Sequence, residues 1–325
     1  MKAKKTVSLI LALVMVFALC AAVTSCSDKK KYNIGICQLV THDALDAATK
    51  GFKDAVVKRL GEENVAIDFQ NAANDTQTCN TIINSFVAKN VDLIMANATP
   101  VLQAAANATE TIPILGTSIT EYGVALDIKN FSGVVGSNIS GTSDLAPLTE
   151  QADMIIELFP DAKKVGLLYC SSEANSEYQV KVVEDYLKGK GLECTRYSFS
   201  DSNDVATITE NAAANSDVIY IPTDNTASSC GETINGIVSA KKVPVISGEE
   251  GQCRLCGLVT LSISYYEIGY KTGEMAADIL EGKQEIEKME IAYDPNPVKK
   301  YNKKLCETLG MDKSDLEAKG YVAID

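Results

Sequence analysis

The sequence predicts an α/β protein of two lobes, each a parallel sheet covered by helices on both faces. Three observations lead there. Short β-rich runs alternate with amphipathic helical stretches from Tyr32 onward, and the same pattern restarts near residue 141. The chain of 325 residues is also longer than one hydrophobic core comfortably supports.

In the first lobe, residues 32–37 read as a strand, and Leu45, Ala48, Phe52, Val56 and Leu60 then recur at helical spacing as one apolar stripe. Residues 65–69 form a second strand. Residues 76–89 carry Cys79, Ile82, Ile83, Phe86 and Val87 on one helix face. Residues 91–96 are apolar on both sides, as a strand inside a covered parallel sheet must be, and 112–115 give another. In the second lobe a helix over 144–159 precedes a strand at 164–169. A helix at 176–188, a strand at 192–197, a helix at 204–213, a strand at 217–221, a helix at 228–241 and a strand at 243–246 follow.

A weak internal repeat accompanies this restart. Val91-Asp92-Leu93-Ile94 aligns with Ser216-Asp217-Val218-Ile219 at an offset that pairs Thr99 with Asp224. Ile112-Pro113-Ile114-Leu115-Gly116 also resembles Val243-Pro244-Val245-Ile246-Ser247. Any two strand–helix–strand units share some such similarity, so the repeat adds only modestly to the two-lobe expectation.

The first 25 residues read as a signal peptide. Lys2, Lys4 and Lys5 precede an apolar run from Val7 to Val23 that is short for a membrane span. It ends in small residues before Cys26, and Ser27-Asp28-Lys29-Lys30-Lys31 is abruptly polar. This resembles the lipobox of bacterial lipoproteins, which implies lipidation of Cys26 and a tether over 26–32, at an extracytoplasmic membrane face. Cleavage as an ordinary signal is the alternative. Cys20 is a poorer acceptor, because Leu19 precedes it. Removing residues 1–25 takes away three lysines and no acid, so the net charge moves from −13 to −16. Such a chain repels nucleic acid and lacks a basic face for anionic lipid.

Eight further cysteines remain: Cys37, Cys79, Cys170, Cys194, Cys230, Cys253, Cys256 and Cys306. In an exported protein they could pair, and Cys253-Arg254-Leu255-Cys256 is a CxxC with room for a local disulfide. Buried thiols acting as small hydrophobes are the competing reading, and several of these cysteines lie in apolar or helical patterns. No second CxxC or histidine cluster stands at zinc spacing, so no metal is expected.

Ligands of open parallel sheets bind outside the carboxyl ends of the strands. Those positions are rich in hydroxyls and amides. The first lobe offers Gln38, Thr41, Asn97, Thr99, Thr117 and Ser118. The second offers Ser171, Ser172, Asn175, Ser176, Thr223, Asp224, Asn225, Thr226, Ser247, Glu249 and Glu250. Any one of them could be a helix N-cap, but their recurrence after nearly every strand favours a shared cleft. Helix N-termini there suit a ligand carboxylate, and Asp224 suits an ammonium, which together match an amino-acid zwitterion. An Asx-type cap is the alternative for Asp224.

Catalysis finds little support. His42 is the only histidine and reads as decoration of the first helix's N-terminus. No G-x-S-x-G, P-loop or strand–GxGxxG–helix unit is present, so neither enzyme activity nor a cofactor is expected.

The run Ile34-Gly35-Ile36-Cys37-Gln38-Leu39-Val40-Thr41-His42, with Ala44-Leu45-Asp46-Ala47 and Gly51-Phe52, resembles the start of ABC-transporter substrate-binding lipoproteins of the tryptophan/tyrosine type. Ala98-Thr99-Pro100, Ile221-Pro222-Thr223-Asp224-Asn225 and Tyr265-Tyr266-Glu267-Ile268-Gly269-Tyr270 extend the resemblance, as does Gly273. It implies a type I periplasmic-binding-protein fold of two Rossmann-like lobes joined by three crossings. Lobe 1 would hold 33–140 and about 263–285, and lobe 2 would hold 141–262 and about 286–325. The partners implied are a permease with its ATPase and a ligand closed between the lobes. Aromatic amino acids are the ligands the family suggests, with Thr99, Thr117, Ser118, Ser171, Ser172, Asn175, Asp224 and Asn225 as the matching site residues. Cys253 and Cys256 depart from the family pattern. The chain lacks tryptophan, so stacking would fall to residues such as Tyr122 or Tyr265. A sugar, nucleoside or peptide-like ligand in the same fold is the first alternative, and a surface hydrolase the second.

Overall fold

The computed structural model describes residues 32–324. The expected signal peptide and Cys26 lie outside these residues. The first sheet has six parallel strands: β1 (Tyr32–Gln38), β2 (Val65–Asn71), β3 (Leu93–Asn97), β4 (Ile114–Ile119), β5 (Ile139–Ser143) and the two-residue β11 (Ala292–Tyr293), ordered β11-β5-β4-β3-β1-β2. The second contains β6 (Lys164–Cys170), β7 (Glu193–Phe199), β8 (Val218–Ile221), β9 (Val245–Ser247), β10 (Val259–Ser262), β12 (Val298–Asn302) and β13 (Val322–Ile324). Its order is β13-β12-β10-β9-β8-β6-β7, and only the β10–β12 pairing is antiparallel. β3 is buried at every position, as its unbroken apolar run requires.

The helices, in chain order, are α1 (Asp43–Leu60), α2 (Thr76–Ala88), α3 (Thr99–Ala108), α4 (Tyr122–Ala125), α5 (Leu148–Leu158), α6 (Ala174–Gly189) and α7 (Val205–Asn215). α8 (Asn225–Ser229), α9 (Gly231–Lys241), α10 (Glu250–Leu255), α11 (Tyr265–Leu280), α12 (Lys303–Leu309) and α13 (Lys313–Ala318) complete the set. α1 and α11 cross backbone to backbone through glycines. A Cβ on Gly269 would lie 2.0 Å from the Ala48 carbonyl oxygen, and one on Gly51 would lie 2.1 Å from that of Tyr266.

The chain passes between the sheets three times: at 144–147 after β5, at 263–264 after β10, and at 294–297 after β11. The sheets therefore follow the two-lobe, three-crossing architecture of the resemblance, with shifted borders. β5 runs past the expected border at 140, and β11 keeps residues 292–293 with the first sheet. The helix expected over 144–159 starts only at Leu148, because residues 144–147 form a crossing that ends on Pro147. The helix expected over 228–241 is two, α8 and α9, meeting at Cys230.

All eight cysteines among the described residues are free. Cys253 and Cys256 are buried in α10 and at its end, and each thiol points to a backbone carbonyl, Gly257 O at 3.4 Å and Gln252 O at 3.5 Å. Burial pushes the Cys253 thiol up to about 12. Among the described residues no helix is long and apolar enough to cross a membrane, and no cluster of three or more His, Cys, Asp or Glu side chains is placed to hold a metal.

Candidate functional site

The carboxyl ends of the two sheets face each other across a closed cleft. His42, just after β1, places Nε2 3.3 Å from Asn225 Oδ1, just after β8. Asn74, after β2, donates to Thr226 Oγ1 at 3.0 Å. Arg254 of α10 reaches Asp43 at the start of α1 at 3.2 Å. Beside this pair a cavity of about 180 Å³ opens between the start of α1, α10 and the crossing that carries Tyr265.

On the first-lobe wall, two strand ends adopt backbone conformations that side-chain-bearing residues avoid. Ala98 has φ 97° and Ser118 has φ 56°. Such strain persists where surrounding structure enforces it, and it concentrates at binding sites. The two loops are joined by the Ala98 amide donating to Thr117 O at 3.1 Å. Ala98 also starts α3, whose positive end therefore opens at this wall. The Ser118 hydroxyl is buried and has no hydrogen-bond partner.

At the first crossing, Asp144 is 3% exposed. Its Oδ2 accepts from the Tyr265 hydroxyl at 2.8 Å, while Oδ1 is buried without a partner. Burial raises its pKa, and the Tyr265 hydroxyl, then the Thr120 side chain, its own backbone amide and His42 work against that rise. Tyr265 itself titrates well above the ordinary tyrosine range, through burial and the Asp144 charge.

The second-lobe wall is built on buried carboxylates that its own backbone consumes. Asp224 accepts from Ala227 N at 2.7 Å and Cys170 N at 2.6 Å. Burial, then the Glu173 charge, pushes it up to about 8. Glu249 accepts from Gln252 N, Gly251 N and the Ser228 hydroxyl, and burial raises its pKa. Glu173 gathers Asn225 N, Asn225 Nδ2, Thr226 N, Thr226 Oγ1 and Asn175 Nδ2. Asn175 keeps Oδ1 buried and unpartnered.

The residues expected from the sequence thus divide by what their atoms do. Ser118 and Asn175 hold free polar atoms at the cleft. Gln38 is spent inside the first lobe on Val40 O, Asp46 and Thr49. Thr41 accepts from Asn71, and Thr117 pairs with Thr142. Thr99 is buried at the first turn of α3. Ser171 and Ser172 are exposed and donate to Phe199 O and Ser200 O. Ser176 lies against Asn175 and Asp224. Asp224 caps α8 and Glu249 caps α10, so the Asx-cap alternative describes the Asp224 carboxylate, each oxygen of which accepts one backbone N–H. Tyr122 belongs to the first-lobe core, with its hydroxyl on Gly116 O and Thr142 O and its ring stacked on Phe131.

Sequence reasoning missed Asp144, Glu173 and the reach of His42. Asp144 was legible in principle. It follows Ile139-Ser140-Gly141-Thr142-Ser143, a strand whose small residues hid it inside an expected helix.

Known proteins support the same picture. The profile of a family described as "ABC transporter substrate binding protein" matches residues 33–315. A tyrosine-binding protein of Clostridioides difficile (strain R20291) is 38% identical over 299 residues, covering 87% of this chain and 86% of that protein. The structure of an ABC domain from Streptococcus pneumonia in complex with L-Trp superposes with a TM-score of 0.85 at 29% identity, covering 91% of this chain and 100% of the other. A ligand-free, open structure of a substrate-binding protein with adhesive properties from Clostridium difficile gives 0.67 at 37% identity, covering 90% and 100%. The lower score belongs to the structure described as ligand-free and open.

Proposed function

This chain belongs to the ABC transporter substrate binding protein family, and from that premise we propose that it binds an aromatic amino acid between its lobes and hands it to the membrane permease. The observation that carries the ligand class is the set of unpartnered polar atoms in the closed cleft, Ser118 Oγ and Asp144 Oδ1 foremost. A zwitterion supplies what these atoms lack. Its carboxylate fits the α3 N-terminus with the Ser118 hydroxyl, where free N–H groups and the helix dipole favour an anion. Its ammonium fits Asp144, whose unpaired buried carboxylate oxygen is the strongest acceptor left in the cleft. The tyrosine-binding relative and the L-Trp-bound neighbour supply the aromatic side chain of the reading.

Closure couples binding to transport. A ligand that touches Ser118 and Asp144 on one side and Asn175 on the other gains its full set of bonds only when the lobes meet, so it shifts the population to the closed form. Cys26 would carry the lipid that keeps the protein at the extracytoplasmic membrane face near its permease.

The reading is tested by thermal shift against L-Tyr, L-Trp, D-glucose and a nucleoside. At about 100 times Kd a bound ligand adds about 2.7 kcal/mol of stability. Tyr and Trp are expected to raise Tm by several degrees and the other two to leave it unchanged. A rise with glucose or nucleoside alone would overturn the assignment.

A further inference from the structure

Where His42 of the first lobe meets the second, the cleft holds a hydrogen-bond network organised by Glu173. Glu173 accepts Asn225 Nδ2 at 2.6 Å, which fixes the orientation of that amide and turns its oxygen toward His42. An amide oxygen carries no proton, so the 3.3 Å contact requires the proton on His42 Nε2. In the neutral ring Nδ1 is then a bare acceptor, and it is buried without a partner. The same Glu173 oxygen accepts from Asn175 Nδ2 at 3.3 Å, and that nitrogen also points to Thr223 O at 3.0 Å. Asn175 therefore also presents only its oxygen, again buried and unpartnered. One carboxylate thus orients both amides, and each lobe leaves one buried acceptor without a partner.

A buried acceptor left unpaired is costly, so whatever fills this end must bring a proton. Resting on the aromatic amino-acid reading, which assigns the ammonium to Asp144, the remaining donor is on the ligand's ring. We propose that His42 Nδ1 and Asn175 Oδ1 receive the phenol O–H of tyrosine or the indole N–H of tryptophan, and that Glu173, acting through Asn225 and Asn175, is the positioning residue that makes this end of the cleft reject phenylalanine.

Calorimetry on the purified chain with L-Tyr, L-Phe and 4-fluoro-L-phenylalanine, which fills nearly the same space as tyrosine without a ring proton, tests the assignment. Tyr is expected to bind at least about tenfold tighter than either analogue. His42→Leu also removes the Asn225 contact that helps close the lobes on any ligand, so the readout is the ratio of Tyr to Phe affinity, which should fall toward one. Asn175→Ala should narrow the same gap. If both analogues bind the unaltered chain within about threefold of Tyr, or if neither His42→Leu nor Asn175→Ala changes the ratio of Tyr to Phe affinity, the acceptor assignment is wrong while the amino-acid reading stands. If neither these three nor L-Trp binds, both readings fall.

Discussion

At the scale of single residues, the cleft separates acids that hold the protein together from the one left for a ligand. Asp224 and Glu249 look alike in sequence to a binding carboxylate, yet Asp224 accepts from backbone N–H groups of α8 and of Cys170, and Glu249 from those of α10 and from the Ser228 hydroxyl. Asp144 is spent on one side only. Asp144→Asn keeps the shape and the Tyr265 contact but removes the charge. Amino-acid affinity measured by calorimetry should drop about tenfold or more, while the ligand-free Tm holds or rises because a buried carboxylate has been relieved. Asp224 makes a second prediction. Its folded pKa of about 8 lies above the ordinary aspartate range near 4, so between those values the folded chain binds more protons than the unfolded one. Stability should therefore fall as pH rises through that window. The raised pKa values of Asp144 and Glu249 act in the same direction. Tm of the ligand-free protein should be higher near pH 5 than near pH 8, with a smaller difference in Asp224→Asn. An unchanged difference in the variant would remove Asp224 as the source.

At the scale of elements, strand ends and helix crossings set where these residues stand. The glycines of Gly51-Phe52 and Ile268-Gly269-Tyr270 allow α1 and α11 to touch through backbone, which ties the second crossing to the first lobe. Gly269→Ala would drive a methyl group into Ala48, and a loss of about 2 kcal/mol or more is expected in the denaturant midpoint. Unchanged stability would mean that the helices part without cost. Much of this level was legible. Strands such as Leu93–Asn97 and amphipathic helices such as Asp43–Leu60 announce themselves by period, and hydroxyl-rich strand ends marked the cleft. Which of those hydroxyls are free was not legible, because that depends on neighbours distant in sequence. Thr142 reaches Thr117, whereas Ser118, turned by its positive φ, is reached by no partner. Strand β5 was missed because Ser140, Gly141 and Ser143 interrupt the apolar run that marks the other strands, and with it went Asp144. His42 was read as a helix decoration because nothing local shows that Asn225 lies opposite.

At the scale of the whole molecule, closure rests on a few polar contacts between the lobes. The Arg254–Asp43 pair is about half-exposed and contributes little. The contacts Asn74–Thr226 and His42–Asn225 are better shielded. Asn74→Ala should speed ligand release severalfold in stopped-flow measurements, with a smaller effect on association. The central claim is that two sheets with facing carboxyl ends close on an aromatic amino acid. The most direct measurement is titration calorimetry of the purified chain with L-Tyr and L-Trp beside D-glucose, at two temperatures. The account predicts saturable one-to-one binding of at least one aromatic amino acid with a negative heat-capacity change, as apolar surface is buried between the lobes, and no heat from glucose. Saturable binding of glucose with none for either amino acid would contradict it.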